Sequence, residues 1–269
     1  MPRIFNTAKR VHSLLRSFPT LLKKIDSVCM EFHRIQENHS SDIAANGERW
    51  LVQTLAKRNR LKIVFDVGAN HGDWAAEVLM ANPAATIHCF EISPPTFQKL
   101  STRLSPNKGN VLLNPFGLSE ATGEIKIKHC PEGDGLTTMF DVVAGLKSEM
   151  IGARVARGED YCVAHGIQTI DLLKIDVEGA EHLVLKGFGD ALVSDKVPVV
   201  QFEYGMVNVL TKFLLRDFYQ FFGDRGYKVG KLFPRSVRFC DYRFQDEDFL
   251  GPNYVAAVPE LCGLLEAGN

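Results

Sequence analysis

The run Lys62-Ile-Val-Phe-Asp-Val-Gly-Ala-Asn-His-Gly-Asp73 changes character twice within twelve residues. It begins apolar at Ile63 to Phe65, breaks at Gly68 and Gly72, and carries an acid on either side, Asp66 and Asp73. Trp74-Ala-Ala-Glu-Val-Leu-Met80 follows with helical spacing. Strand, tight loop and helix in that order build the nucleotide-type cofactor sites of α/β sheets. The plainer alternative is an ordinary strand-to-helix turn.

The acids narrow the cofactor. A dinucleotide fingerprint has three glycines, G-x-G-x-x-G, with diphosphate on the helix N-terminus. Here two glycines are spaced G-x-x-x-G, and Asp66 and Asp73 place negative charge where a diphosphate would sit. A cofactor with no phosphate and a positive centre meets no such penalty. S-adenosyl-L-methionine, with its sulfonium and adenosine, has that chemistry. Glycines in such a loop allow close approach of backbone to ligand.

A chain of 269 residues, 45% hydrophobic with net charge -1, fits one large globular domain with or without an appendage. The near-neutral charge gives no support for nucleic-acid binding. The six cysteines show no C-x-x-C spacing and suggest neither a zinc site nor a disulfide framework, so reduced thiols in a cytoplasmic enzyme are expected. No apolar run approaches the ~20 residues of a membrane span, and no signal peptide is visible.

Residues 1–45 read as an N-terminal helical extension. Arg3, Lys9, Arg10, Arg16, Lys23 and Lys24 precede the first acid, and Val11, Leu14, Leu15, Leu21, Leu22 and Ile25 recur at helical spacing. Pro19 splits the segment into two helices. A helical cap on the core is the favoured reading. Peripheral contact with an anionic membrane or a partner protein is the sharper one, and a mitochondrial presequence is a third.

Residues 46–269 form the main domain, starting with a helix near Glu48. Strands are expected at 63–67, 86–91, 111–114, 171–176, 197–204, 227–232 and 253–258, with helices between most of them. Residues 117–128, with Thr122-Gly123, suggest a hairpin. Residues 129–160 read as a loop-rich insertion that shapes acceptor specificity. Alternating strands and helices predict a doubly wound, mostly parallel sheet whose ligands bind at the carboxyl ends of the strands.

Acids recur at those ends: Asp66, Glu91, Asp176 and Glu203. Glu91, 25 positions after Asp66, suits a bidentate bond to the two hydroxyls of a ribose. A helix N-terminal acid is the alternative for Glu91.

Val64-Phe-Asp-Val-Gly-Ala-Asn-His-Gly72, His88-Cys-Phe-Glu91 and Ile170-Asp-Leu-Leu-Lys-Ile-Asp-Val-Glu-Gly-Ala-Glu181 resemble the FkbM family of S-adenosylmethionine-dependent methyltransferases. Asn46-Gly-Glu48, Leu118-Ser-Glu120 and Glu159-Asp-Tyr161 agree with it. The likeness covers roughly residues 46–258. It implies a class I methyltransferase fold of about seven strands with an antiparallel last strand. It also implies methyl transfer to a hydroxyl of a sugar, glycan or secondary metabolite, leaving S-adenosyl-L-homocysteine. The sequence departs from the family at Ile92, where a proline commonly follows the acid, and at Gly158, where leucine is usual.

Cofactor contacts are accordingly expected from Asp66, Gly68, Ala69, Asn70, Gly72, Glu91, Ile92, Leu118 and Asp176. A hydroxyl nucleophile needs its proton taken as bonding develops. Asp176 or Glu178, with Glu203 as third candidate, is expected to orient or deprotonate it; capping of the following helix is the other reading of Glu178 and the favoured one for Glu181. A magnesium ion on Asp176 and Glu203 is the less favoured route. Rival readings are an NAD or nucleotide-sugar enzyme on a related sheet, and a non-catalytic S-adenosylmethionine-binding protein. Phe140, Tyr161, Tyr204 and Phe233 are candidates for stacking on a sugar ring, or ordinary core.

Overall fold

The computed structural model describes residues 2–105, 109–129, 148–250 and 253–266. The chain divides into two compact units, Met1–His39 and Ser40–Asn269. The first is a pair of helices, α1 (Pro2–Leu15) and α2 (Pro19–Gln36). Pro19 opens α2, where its missing N–H costs no hydrogen bond. No side chain of α2 is buried.

The second unit opens with α3 (Glu48–Lys57), then alternates β1 (Ile63–Val67), α4 (Asp73–Ala81), β2 (Thr86–Phe90), α5 (Pro94–Leu104) and β3 (Val111–Asn114). After an excursion come β7 (Leu172–Ile175), α7 (Glu181–Phe188), β8 (Val199–Glu203), α8 (Asn208–Thr211), α9 (Leu215–Gly223), β9 (Lys228–Phe233), β10 (Ser236–Phe239), β11 (Asn253–Ala257) and α10 (Pro259–Glu266). The sheet order is β10-β9-β11-β8-β7-β1-β2-β3. Pairs among β3, β2, β1, β7 and β8 are parallel, and β11 is antiparallel to both β8 and β9. The expected seven-strand sheet with an antiparallel last strand is present, and β10 adds an edge strand that the sequence reading lacked.

The chain winds outward from β1 to β3, then returns to β7 on the other side of β1. That reversal makes the carboxyl ends of β1 and β7 the switch point of the sheet, where α/β folds place ligands. The core strands are buried on both faces: every residue of β7 and all but the first of β1 and β2 are buried. Phe202 stacks on Phe218 and Phe222 at 4.6 and 5.3 Å, clamping α9 to β8. Each such ring contributes about 2–3 kcal/mol by burial.

The expected 117–128 hairpin is corrected. β4 (Gly117–Leu118) and β5 (Gly123–His129) do not pair with each other; both pair with β6 (Glu149–Ala156) in a second sheet ordered β4-β6-β5. Seven residues of β5 find partners on β6, so the longer distant ladder prevails over the short turn at Thr122-Gly123. The loop-rich reading of 129–160 is corrected with it: Glu149–Ala156 is strand and Gly158–Ala164 is α6. Residues 130–147, including Phe140, lie outside the described residues.

Two sequence cues have packing explanations. A Cβ on Gly47 would lie 2.2 Å from the Phe233 carbonyl oxygen. Its neighbour Glu48 accepts hydrogen bonds from Asn46 Nδ2 (2.8 Å) and Gln201 Nε2 (2.6 Å), tying α3 to β8. At Gly158, the Phe188 ring occupies the space a side chain would need, 2.8 Å from a built Cβ.

Candidate active site

The glycine loop is shaped by its neighbours. Gly68 has φ +84 and its Cβ would fall 1.8 Å from the Asp176 carbonyl oxygen, so the ends of β1 and β7 approach there as only glycine permits. Gly72, at φ +83, sits against Leu100 and Leu104 of α5. Both glycines are therefore demanded by packing at the switch point, a reason different from the close approach to ligand read from the sequence. The Gly68 and Ala69 amides donate to the Phe90 carbonyl (3.0 and 2.9 Å), and the Asp176 amide to that of Val67 (3.0 Å), fixing the loop between β2 and β7.

Glu91 follows β2 and locks onto the same loop. Its Oε2 accepts the Asn70 amide (2.9 Å) and its Oε1 the Ser93 amide (2.8 Å). Asn70 is held at φ +47, a left-handed conformation that Asn tolerates better than most residues. Burial pushes the Glu91 carboxyl up, and the two amides oppose that shift. Each oxygen retains lone-pair capacity, so the carboxylate can still receive a vicinal diol. Asn70 Oδ1, on the loop that Glu91 holds, is buried with no hydrogen-bond partner; so is Trp74 Nε1, whose ring centre lies 5.8 Å from Lys174 Nζ. An unpartnered acceptor and a fixed carboxylate on one loop suit the hydroxyl donors of a nucleoside.

Asp66 lies elsewhere than expected. The strand runs on to Val67, and Asp66 is wholly buried, cross-strand from Lys174 with Nζ 3.6 Å from Oδ1. Neither of its oxygens has a hydrogen bond. Burial pushes its carboxyl up to about 6, while Lys174 pulls it down. At the loop's other end, Asp73 pairs with Arg103 at 2.6 Å. Both acids read as repelling a diphosphate are thus compensated by cations, and the charge argument for the cofactor passes to Glu91 and Asp176.

Beyond β7, three carboxylates gather: ligand-capable oxygens of Asp176, Glu178 and Glu203 all lie within 4.8 Å of one another. Lys174 Nζ reaches Asp176 Oδ2 at 3.0 Å. Burial opposes ionisation of Asp176, but the Lys174 ammonium and a hydrogen bond from Glu203 hold its carboxyl below the usual range. The Asp176 charge, then burial, pushes Glu203 well up. Burial, then Asp176, pushes Glu178 up to about 8. Asp176 is therefore the readily ionised site, and Glu178 and Glu203 hold their protons more tightly than free carboxyls do. Glu178 has φ +53, a strained conformation for a non-glycine residue. With Gly179 at φ +100, it delays α7 until Glu181.

Glu181 is structural: its Oε1 accepts the Val177 and Gly179 amides, both at 3.1 Å. Ala69 and Leu118 are buried and Ile92 is half-buried, packed on Gly117. Tyr161 and Tyr204 are core residues, 5% and 0% exposed. Lys174, quoted in the sequence motif without a role, is the residue that reasoning missed. A lysine within the apolar strand Leu172-Leu-Lys-Ile175 was the available signal, because a buried ammonium needs a carboxylate beside it.

A sheet in this order, with acids at the carboxyl ends of β2, β7 and β8, has the fold of a class I methyltransferase. The chain belongs to the FkbM family: the Methyltransferase FkbM domain matches residues 66–229. Among curated relatives, the 2-O-methyltransferase NoeI of Sinorhizobium fredii is 26% identical over 162 residues, 55% of this chain and 65% of that protein. The hexuronic acid methyltransferase AglP of Haloferax volcanii is 27% identical over 211 residues, 70% of this chain and 85% of that protein. A crystal structure of a methyltransferase FkbM from Methylobacillus flagellatus aligns over 73% of this chain and 44% of that one, at 14% identity and a TM-score of 0.47.

Proposed function

We propose that this chain is an S-adenosylmethionine-dependent O-methyltransferase acting on a hydroxyl of a sugar-containing or related small-molecule acceptor. The observation that carries the reading is the Glu91 carboxylate, held by two backbone amides against the glycine loop at the switch point. Family membership supports it, as do the likenesses to the 2-O-methyltransferase NoeI and the hexuronic acid methyltransferase AglP.

Glu91, Asn70 and the backbone at 68–72 would hold the adenosine. Asp176, kept ionised by Lys174, would face the positive end of the cofactor. When bound, the cofactor supplies a methyl group on a cationic sulfur, which an oxygen nucleophile displaces. The protein's task is to place that oxygen and take its proton. Glu178 is the first candidate base and Glu203 the second. Their raised affinity for protons suits removal of a hydroxyl proton, provided they are unprotonated when the acceptor binds.

A divalent cation is not needed to balance this cluster, because Lys174 and the proton shared by Asp176 and Glu203 already do so. A methyl-release assay with labelled S-adenosylmethionine and a panel of sugars and glycans tests the reading. Cofactor binding without turnover on any acceptor favours the non-catalytic alternative, and binding of NADH in its place favours the NAD alternative.

A further inference from the structure

We infer that the N-terminal helix pair is a docking surface for an anionic lipid interface. α2 carries Leu21, Ile25, Val28, Phe32 and Ile35 on one face at a 4-3-4-3 spacing, and all five are exposed. Phe5, Leu14 and Phe18 from α1 and the turn are at least 60% exposed as well. Between the helices lies an open groove of about 610 Å³, lined mainly by Ala8, Val11 and Leu15 of α1 and Leu22 and Ile25 of α2, with Asp26 as its one acid. So many large apolar side chains on a pair of short helices form a patch of the kind that marks an interaction site.

Charge selects the occupant. Residues 1–39 hold seven lysines and arginines against three acids, a net of +4, while the whole chain carries -1. The remaining 230 residues therefore carry -5. Before Asp26 there is no acid at all. Two copies of this unit would bring like charges together, and the α2 stripe covers under the three to four heptads a coiled coil needs. Nucleic acid would satisfy the charge but leave the apolar face in water. An anionic bilayer surface satisfies both, taking the apolar face below the headgroups and the basic residues among them. Lys9, whose ammonium lies 4.5 Å from the Phe5 ring centre, shows the required pairing of cation with apolar anchor. No helix among the described residues is long and apolar enough to cross a membrane, so the pair would lie on the surface.

The test is co-sedimentation of the full chain with phosphatidylcholine vesicles, with and without phosphatidylglycerol. Binding is expected only with phosphatidylglycerol and should fall as salt is raised. Lys23→Gln and Lys24→Gln are each expected to weaken it about five-fold. Phe32→Ser combined with Ile35→Ser should weaken it about tenfold or more with the melting temperature unchanged. Absence of binding to the anionic vesicles, or equal binding to neutral ones, would overturn the proposal. So would a dimer that the Phe32→Ser and Ile35→Ser variant turns into a monomer, since that makes a second copy the occupant. A fall in melting temperature on the same substitutions would assign the face to the protein's own interior and overturn it too. None of these readouts involves methyl transfer, so the proposal and the catalytic reading fail separately.

Discussion

Lys174 Nζ lies 3.0 Å from the Asp176 carboxylate, an ion pair in which the ammonium is almost wholly buried and the carboxylate reaches the mouth of the candidate site. On its other side the same ammonium faces Asp66, 3.6 Å away. One buried cation thus balances two acids, one of them interior and one available for chemistry. Lys174→Met is expected to lower unfolding free energy by about 3–5 kcal/mol, because removing one partner strands buried charge. Adding Asp66→Asn should restore part of that loss. Urea denaturation of the single and double variants checks both outcomes.

Gly68→Ala is expected to be severe. The added methyl meets the Asp176 carbonyl at 1.8 Å, in a left-handed conformation that alanine resists. The conformation alone costs about 1–3 kcal/mol, before the clash with backbone is counted. Gly123→Ala is the control: its Cβ would enter open space, and the change should be neutral or mildly stabilising. Thermal unfolding of the two variants distinguishes a packing demand from a general intolerance of glycine replacement.

Glu181 gives stability a pH dependence of definite sign. Burial is the main cause that lifts its carboxyl from 4.5 to about 7, against its bonds to backbone amides. A raised folded-state value means its contribution is complete below about pH 4.5 and is lost as pH rises through about 7. Glu181→Gln removes that titration. From about pH 5 to about pH 8, the stability difference should move in favour of the variant by about 2.5 kcal/mol. Chemical denaturation at both pH values reads this directly, and a difference that stays constant would refute it.

Glu178→Gln should reduce turnover by about 10²–10⁴-fold while leaving S-adenosylmethionine affinity nearly unchanged, since a lost base acts on the chemical step. Activity of the unaltered chain should rise with pH toward about 8, where the carboxyl of Glu178 gives up its proton. Near-normal turnover in Glu178→Gln would sink this assignment of the base.

Treatment with EDTA should leave methyl transfer intact, because Lys174 pairs with Asp176, while Glu178 and Glu203 hold their protons more tightly than free carboxyls do. Loss of activity on chelation, restored by magnesium, would move Asp176 and Glu203 from proton chemistry to metal binding.

The parts of this fold written in local pattern were legible from the chain. β1, α5 and β3 begin and end where apolar runs, paired prolines and turn residues place them. Recurrence of acids near strand ends also led to Glu91, Asp176, Glu178 and Glu203. What escaped depends on distant partners. β6 captures β4 and β5 through pairings about 20–40 residues away in sequence, which short-range turn signals do not reveal. Asp66 looked like a loop acid because nothing local shows that Lys174, 108 positions later, lies beside it. The glycines were legible as glycines, but their cause, the crossing of Asp176 over Gly68 and of α5 over Gly72, is tertiary.

The most direct measurement is calorimetric titration of S-adenosylmethionine into the unaltered chain and into Glu91→Gln. The expected result is saturable one-site binding, displaced by S-adenosylhomocysteine and weakened about tenfold or more by the substitution, which removes a charged acceptor for the ribose hydroxyls. Binding of NADH with no heat from S-adenosylmethionine, or equal S-adenosylmethionine affinity in both proteins, would contradict the account of this site.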